Sequence, residues 1–314
     1  MIIKKTRAET AGQLLSKFYD EPRITKVEKL VFAGVGGRDV YNITAPFHYD
    51  GEDVIMGRVE ERDSEFSQVF FFTQSADRVW SPRAHTHTYN LQDPCVTCIK
   101  GELVVGGVEV MTAADNPHRI ISWATQFYRG THIDSLCHFS SGPRNMKDIR
   151  LIELADGRIG VFTRPQGSRG GRGQIGFTII ESLDDLNEQA FRDAKILQDQ
   201  FVAEEWGGAN EAHLLRNGLI GVLGHIACFD EESNKHYYSC TFALNPLTCE
   251  KTAMKIIAVR GDFPVGPGKR PDLEDVIFSG GLVRLPGGRA MLSVGVSDAE
   301  AYRIEIPDPF NEYE

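Results

Sequence analysis

Two kinds of chemistry compete in the stretch YNLQDPCVTC, residues 89–98. Cys95 and Cys98 form a CxxC, the spacing of a redox pair or of half a metal site. A redox pair needs a helix start and zinc needs a second ligand pair. Cys137, Cys228, Cys240 and Cys249 supply no second CxxC. PCVTCI has the composition of a strand, where residues three apart point to opposite faces. That geometry suits neither a chelate nor a disulfide, so both cysteines are expected to fill a strand. Asp93 is the other reading: a carboxylate at a fixed point beside a strand, with Pro94 predicted to keep the Asp93 backbone extended. Two further motifs fail on context. Gly171, Gly173 and Gly176 spell GxGxxG, but strand-like FTII follows where a dinucleotide fingerprint needs a helix. His85 and His87 share a face if extended, yet no third metal ligand has suitable spacing.

A second set of polar residues interrupts apolar runs along the whole chain. Asn42 lies in YNITAPF, Arg58 and Glu60 in MGRVEERDSE, and Asp93 in LQDPCV. Lys147, Asp148 and Arg150 follow in GPRNMKDIRLIE, then Arg164 in VFTRPQG. His225 sits in GVLGHIA, followed by His236 and Tyr237, and Asp298 in VGVSDAE closes the series. Each falls at the end of an expected strand. Arg58 and Glu60, two apart, would share a strand face and can pair with each other.

The elements that must position these residues are mostly β. Short alternating runs rich in Val, Ile, Phe and Tyr recur from QVFFFTQS to AYRIEI. Hairpins with a glycine at the turn recur near 51, 101, 157, 218 and 287, which fits roughly five sheet units. Two helices are expected, an amphipathic one over 8–18 and an inserted one over 182–197 with Ser182 as N-cap. The expectation from the residues is an all-β chain, a propeller or a long sandwich, with a short N-terminal helix and one inserted helix, forming one domain over 1–314. In a propeller the inner strands converge on a central channel, so the interrupting residues would meet in one pocket.

Composition narrows the partners. The 314 residues are 41% hydrophobic and 25% charged, as in a globular chain. A net charge of −10 argues against nucleic acid or an anionic membrane as partner. The longest apolar run, LIGVLGHIA (219–227), is too short to span a bilayer, and the N-terminal residues lack the apolar core of a secretory leader. Six cysteines without a disulfide spacing predict a reducing compartment, the cytoplasm. The helix over 8–18 offers a face for homo-oligomer formation.

Taken in order, NITAPF, GRVE, QDP, GPRNMKD, TRP, GHIA, DVIFSGG and VGVSDAE resemble the mannoside phosphorylases of glycoside hydrolase family 130. The pattern, from about residue 35 to 305, looks closest to the related mannosyltransferase–phosphorylases classed as glycosyltransferase family 108. The resemblance implies a five-bladed β-propeller enzyme. It would act on β-mannosides, often β-1,2-linked mannose oligosaccharides, by an inverting route. Inorganic phosphate would be the co-substrate and mannose 1-phosphate the product, with a nucleotide mannose as donor in the transferase branch. No cofactor or metal is implied. Asp93 corresponds to the proton donor, acting through the 3-hydroxyl of the bound mannose. Arg150, Arg164 and His225 correspond to phosphate-holding positions, with Lys147, His236 or Tyr237 assisting. Asn42, Arg58 and Asp298 correspond to contacts with the mannose ring. Trp80, Tyr89 and Trp206 are candidates for stacking on sugar faces.

The match has departures. Family 130 usually has Glu before the Asp and Arg after the Pro, where this chain has Gln92 and Cys95. Ile226 follows the histidine where Gly is frequent. An inverting phosphorylase needs one proton donor and an incoming anion, whereas an inverting hydrolase needs a second carboxylate to activate water. Glu204, Glu205 and Glu211 are available for that alternative. A non-catalytic carbohydrate-binding propeller is the third reading.

Overall fold

The computed structural model describes residues 7–21 and 26–314, those at 117 and 118 by their backbone alone. The chain is mostly β, with two α-helices among the described residues. The first sheet has the order Val31–Phe32, Val79–Pro82, Ser67–Gln74, Glu52–Glu60, Asp39–Tyr41, and Phe47–Tyr49 also pairs with Glu52–Glu60. The second runs Gln92–Ile99, Glu102–Ala113, Asn116–Gly130, Cys137–Ser141. The third runs Arg150–Glu153, Ile159–Thr163, Gly176–Ile180, Lys195–Ile196.

The fourth sheet has eight strands and divides into two units. One holds Trp206–Leu214, Ile220–Phe229, Lys235–Leu244 and Lys255–Ala258. The other holds Asp275–Leu285, Arg289–Val296, Glu300–Pro307 and the N-terminal strand Lys26–Lys29. Among the described residues the strand pairing between the units is a two-residue parallel one, His236 with Asp275 and Tyr237 with Val276.

Alternation along the strands explains the layering. In Ser67–Gln74, Val69 and Phe71 enter a hydrophobic layer shared with Tyr89 and Leu91, just ahead of the second sheet, and with Val105 of that sheet. Phe72, on the other face, packs with Leu30, Trp80 and Ala301. Successive side chains of a strand point to opposite faces, so this sheet is covered on both sides. Further layers lie between the second and third sheets, between the third sheet and Trp206–Ala258, and between Trp206–Ala258 and Asp275–Pro307. The sequence of layers thus returns from the last unit to the first sheet.

The glycines singled out in the sequence sit at equivalent hairpins. Gly51, Gly101, Gly157, Gly218 and Gly287 all have positive φ, from 75° to 82°. Asp50 and Lys100 also have φ of 51°. Two successive left-handed residues make a type I′ turn, whose twist matches that of the flanking strands.

The helices depart from expectation. The first runs Ala11–Asp20, capped by a box in which Thr10 and Gln13 satisfy each other's backbone N–H. Its buried Ala11, Leu14 and Phe18 face Met254 and Ile256 of the same chain. The apolar face expected to support self-association is therefore occupied within the chain. The helix expected over 182–197 is broken. Ser182 caps only a 3-10 turn, Leu183–Asp185; Asn187 starts a separate helix, Glu188–Asp193. Lys195–Ile196 then leaves it to pair as a strand with Gly176 and Phe177. Leu186, buried between the two, anchors the break. Among the described residues no helix is long and apolar enough to cross a membrane.

Candidate active site

Asp93 lies at a bulge. Gln92 pairs with Val108 and Cys95 with Gly106, so one extra residue stands on the Asp93 side. Its φ is 48°, in the left-handed region, and not extended as Pro94 led us to expect. Bulges re-aim side chains, and here the bulge turns the carboxylate into a set of fixed partners. Asn42 Nδ2 donates to Asp93 Oδ1 at 2.7 Å and Arg58 Nη1 donates to the same oxygen at 3.1 Å. Lys147 Nζ lies 3.9 Å from Oδ2. Burial alone would raise the Asp93 pKa, but Arg58, Lys147 and Asn42 outweigh it and hold it below the ordinary carboxylate value.

Asn42, Asp148 and Asp298 share the left-handed conformation, with φ of 46°, 60° and 49°. Asn and Asp tolerate it better than other L-residues, and its recurrence marks one rim built from four strand ends. Asp298 is held above the ordinary carboxylate value by burial, with Asp93 adding repulsion and Arg58 opposing it.

Beside Asp93 a second cluster gathers the third sheet and the unit that follows it. Arg164 Nη1 donates to Asp148 Oδ2 at 2.8 Å, and its Nε donates to the Gly207 carbonyl at 2.9 Å. Arg150 Nε donates to the Asn210 carbonyl at 2.7 Å, and its Nη2 stands 4.0 Å from Asp148 Oδ1. His225 Nδ1 is bonded to Asn210 Oδ1 at 2.8 Å, which leaves Nε2 available. Burial, reinforced by Arg164, Lys147 and Arg150 against Asp148, lowers the His225 pKa to about 3, so the imidazole is neutral. Asp148 is held well below the carboxylate range, because Arg164, Lys147, His225 and Arg150 overcome its burial. The Asp148 Oδ1 and Asn210 Nδ2 atoms are buried without hydrogen-bond partners.

Two arginines to one carboxylate leave this cluster positive, with a neutral histidine beside them; such a set has the donors to accept an oxyanion. The approach is tight. A Cβ on Gly208 would lie 2.9 Å from Asp148 Oδ2, 3.0 Å from His225 Cε1 and 3.1 Å from Arg164 Cδ.

The predicted residues thus divide. Asn42, Arg58, Asp93 and Lys147 meet directly, and Asp298 joins them through its field. Arg150, Arg164 and His225 meet around Asp148. Tyr237 stacks on His225, ring centroids 5.4 Å apart. His236 does not join them: Asp275 holds its Nδ1 at 2.6 Å and Asp230 its Nε2 at 3.3 Å. Of the aromatics, Trp80 is 1% exposed and packs in the core. Tyr89 is buried too, against Tyr128. Trp206 donates to the Tyr237 hydroxyl at 3.1 Å and packs on Phe229, over which Arg172 lies at 5.2 Å. His85 and His87 are exposed, and all six cysteines are free.

Residue patterns did not single out Asn210, Gly208 or Lys269. Asn210 is a strand residue whose polarity stands out between Ala209 and Glu211 only once its buried position is known. Lys269 lies in a Pro- and Gly-rich loop 209 positions from its partner Glu60.

The chain is similar along nearly its whole length to solved structures. A mannose phosphorylase from Leishmania mexicana, MPT-4, solved in complex with a phosphate ion, is 36% identical. It aligns over 96% of this chain and 94% of its own, with a TM-score of 0.89. MPT-1 from the same organism, a GDP-Man-dependent mannosyltransferase, is also 36% identical over 96% of this chain and 95% of its own, with a TM-score of 0.87. A β-1,2-mannobiose phosphorylase from Listeria innocua shares the fold at 14% identity, covering 93% and 94% of the two chains, with a TM-score of 0.61. Comparison with curated proteins finds no match. Residues 16–312 match the family described as "Protein of unknown function (DUF1861)", and the chain belongs to that family.

Proposed function

We propose that this chain is an inverting mannoside phosphorylase or mannosyltransferase, built as one five-bladed β-propeller domain with the active site at one mouth of its channel. Five hydrophobic layers that return to the first sheet support the blade count. The mannose phosphorylase and mannosyltransferase among its relatives support the activity. The observation that carries the reading is one carboxylate, Asp93, 3.9 Å from Lys147 and beside the arginine cluster in which Arg150 and Arg164 flank Asp148.

In phosphorolysis the cluster holds phosphate on one face of the mannose ring. A phosphate oxygen attacks the anomeric carbon as the glycosidic C–O bond breaks on the opposite face. Asp93 gives its proton, through the 3-hydroxyl of the mannose, to the departing oxygen, and the product is α-mannose 1-phosphate. Synthesis runs the same path backwards with Asp93 as base. The lowered proton affinity of Asp93 suits the base. Phosphate bound beside Lys147 cancels part of the charge that lowers it, and so prepares the acid. A nucleotide mannose can place its own phosphate in the same cluster.

Hydrolysis is less well supported. Glu205 accepts from the Ala11 backbone, and Glu211 accepts from His213 and the Leu282 backbone. Free cysteines fit a reducing compartment such as the cytoplasm.

The test is product analysis from short β-1,2-mannooligosaccharides with and without phosphate, and of GDP-mannose with a mannose acceptor. Mannose 1-phosphate formed only with phosphate, or chain extension from the nucleotide, is expected. Free mannose regardless of phosphate would favour hydrolysis. Asp93→Asn should lower turnover by about 10²–10⁴-fold with the thermal midpoint retained; unchanged turnover would remove Asp93 from the mechanism.

A further inference from the structure

Behind Arg58 lies a buried charge system that the mechanism above does not use. Glu60 is 1% exposed, yet every side of its carboxylate is taken. Oε2 accepts from Arg58 Nε at 3.1 Å, from Arg58 Nη2 at 2.7 Å and from Ser67 Oγ. Oε1 accepts from Tyr41 Oη at 2.9 Å and from Lys269 Nζ. Lys269 Nζ also lies 3.2 Å from Glu65 Oε1, with only 4% of its side chain exposed. Arg58 is shared: Nε and Nη2 face Glu60, while Nη1 faces Asp93. Its guanidinium also lies 4.9 Å over the Tyr41 ring, which fixes its plane.

Signs therefore alternate along one buried row, Lys269, Glu60, Arg58 and Asp93, beyond which stands the half-exposed Lys147. Lys269 enters it from a distant element. Its loop bridges the last unit and the first sheet: Lys269 N donates to the Ser297 carbonyl at 2.9 Å, and Arg270 Nη1 donates to Glu65 Oε1 at 2.9 Å. A merely structural brace would not need this arrangement. Buried ion pairs gain little over apolar packing of the same shape, and this one ends on the proton-transferring carboxylate.

We propose that Glu60 and Lys269 are positioning residues that set how much of the Arg58 charge reaches Asp93, and so couple the seam between the last unit and the first sheet to proton transfer. This rests on the reading of Asp93 as the proton-transfer group. The groups facing Asp93 are Arg58, Tyr41 and Asn42 from the first sheet, Lys147 and Asp148 ahead of Arg150, and Asp298 beyond Val296. Those facing Glu60 are Arg58, Tyr41, Ser67 and Lys269.

Removing either charge then acts with a defined sign. Glu60→Gln leaves Arg58 opposed by Asp93 with less competition, which lowers the proton affinity of Asp93. Lys269→Met removes a cation and leaves Glu60 drawing more strongly on Arg58, which raises it. The limb of the pH–rate profile that depends on Asp93 should move by about one unit, tenfold in proton affinity. It should move to lower pH in Glu60→Gln and to higher pH in Lys269→Met, and Lys269→Arg should restore it. A structural role predicts lower stability or rate with the limb in place.

A second readout does not need turnover. With carbon-13-labelled aspartate, the Asp93 carboxyl is the resonance missing from Asp93→Asn, and its titration should shift with the same opposed signs. Opposed shifts in the resonance without any change in the rate profile would keep the network and remove Asp93 from proton transfer. No shift, or shifts of one sign in both variants, would overturn the proposal. Should Lys269→Met fail to fold, the isosteric Glu60→Gln and the Lys269→Arg control decide it.

Discussion

The residues of the site are held in costly states, and each cost is visible. Asn42, Asp93, Asp148 and Asp298 have left-handed backbones, a condition that costs about 1–3 kcal/mol where surroundings impose it. Asp148 Oδ1 and Asn210 Nδ2 are buried without partners; an oxyanion would satisfy the amide donor, whereas the carboxylate oxygen needs a donor such as water. His225 gives a measurable sign. Its proton affinity is far lower folded, at about 3, than the ordinary 6.5 of the unfolded chain. Below pH 6.5 the unfolded state binds the extra proton, so stability falls as pH drops toward 3. The slope is about 1.4 kcal/mol per pH unit. Denaturant unfolding between pH 7 and 4 should show it, and His225→Asn should flatten it. Asp93 and its partners were legible from residue types because each is a polar interruption in an apolar run. His236 was read as part of the same set, but the two-residue register between strands 39 positions apart sets it against Asp275, which no local pattern encodes.

Elements deliver these residues through their ends and irregularities. The bulge at Asp93 and a second at Asn210, between Ala209 and Glu211, are departures from a regular ladder. Gly208 keeps its register with His225 and admits the cluster by lacking a side chain. Gly208→Ala places a methyl group against Asp148, Arg164 and His225, so the oxyanion cluster must spread. The expected cost is about 1–3 kcal/mol of stability with a loss of phosphate affinity of at least tenfold, read by calorimetric titration. The N-terminal helix is a contrasting case. Phe18 is 4% exposed in a layer that also holds Met254 and Ile256. Phe18→Ala should cost about 3–5 kcal/mol in denaturant unfolding and leave KM for phosphate unmoved, since the helix contributes nothing to the site. Strands and hairpins were legible because the period-2 pattern and the five turn glycines are local signals. The break at Leu186 was not, because the apolar spacing over 182–197 also satisfies a continuous helix.

At the scale of the whole molecule, each sheet unit is covered on both faces by its neighbours, and closure joins distant parts of the chain. Leu30, 5% exposed, follows the N-terminal strand; its N–H donates to the Ala301 carbonyl at 3.0 Å and its side chain enters the layer with Trp80 and Val40. Leu30→Ala should cost about 2–5 kcal/mol in equilibrium unfolding. Because Arg58 and Lys269 straddle the same seam, the variant should also weaken turnover at temperatures where it remains folded.

The sequence by itself determined the strands, the hairpin turns, the charge class and most of the polar residues that gather at the site, because each follows from neighbours within a few positions. Tertiary structure alone decided which of them share a pocket, the left-handed turn at Asp93, the neutrality of His225 and the link from Lys269 through Glu60 to Arg58. Those depend on burial and on charges brought together across tens to hundreds of residues. Coulombic and desolvation energies are functions of distance in space, and the order of residues along the chain does not contain that distance.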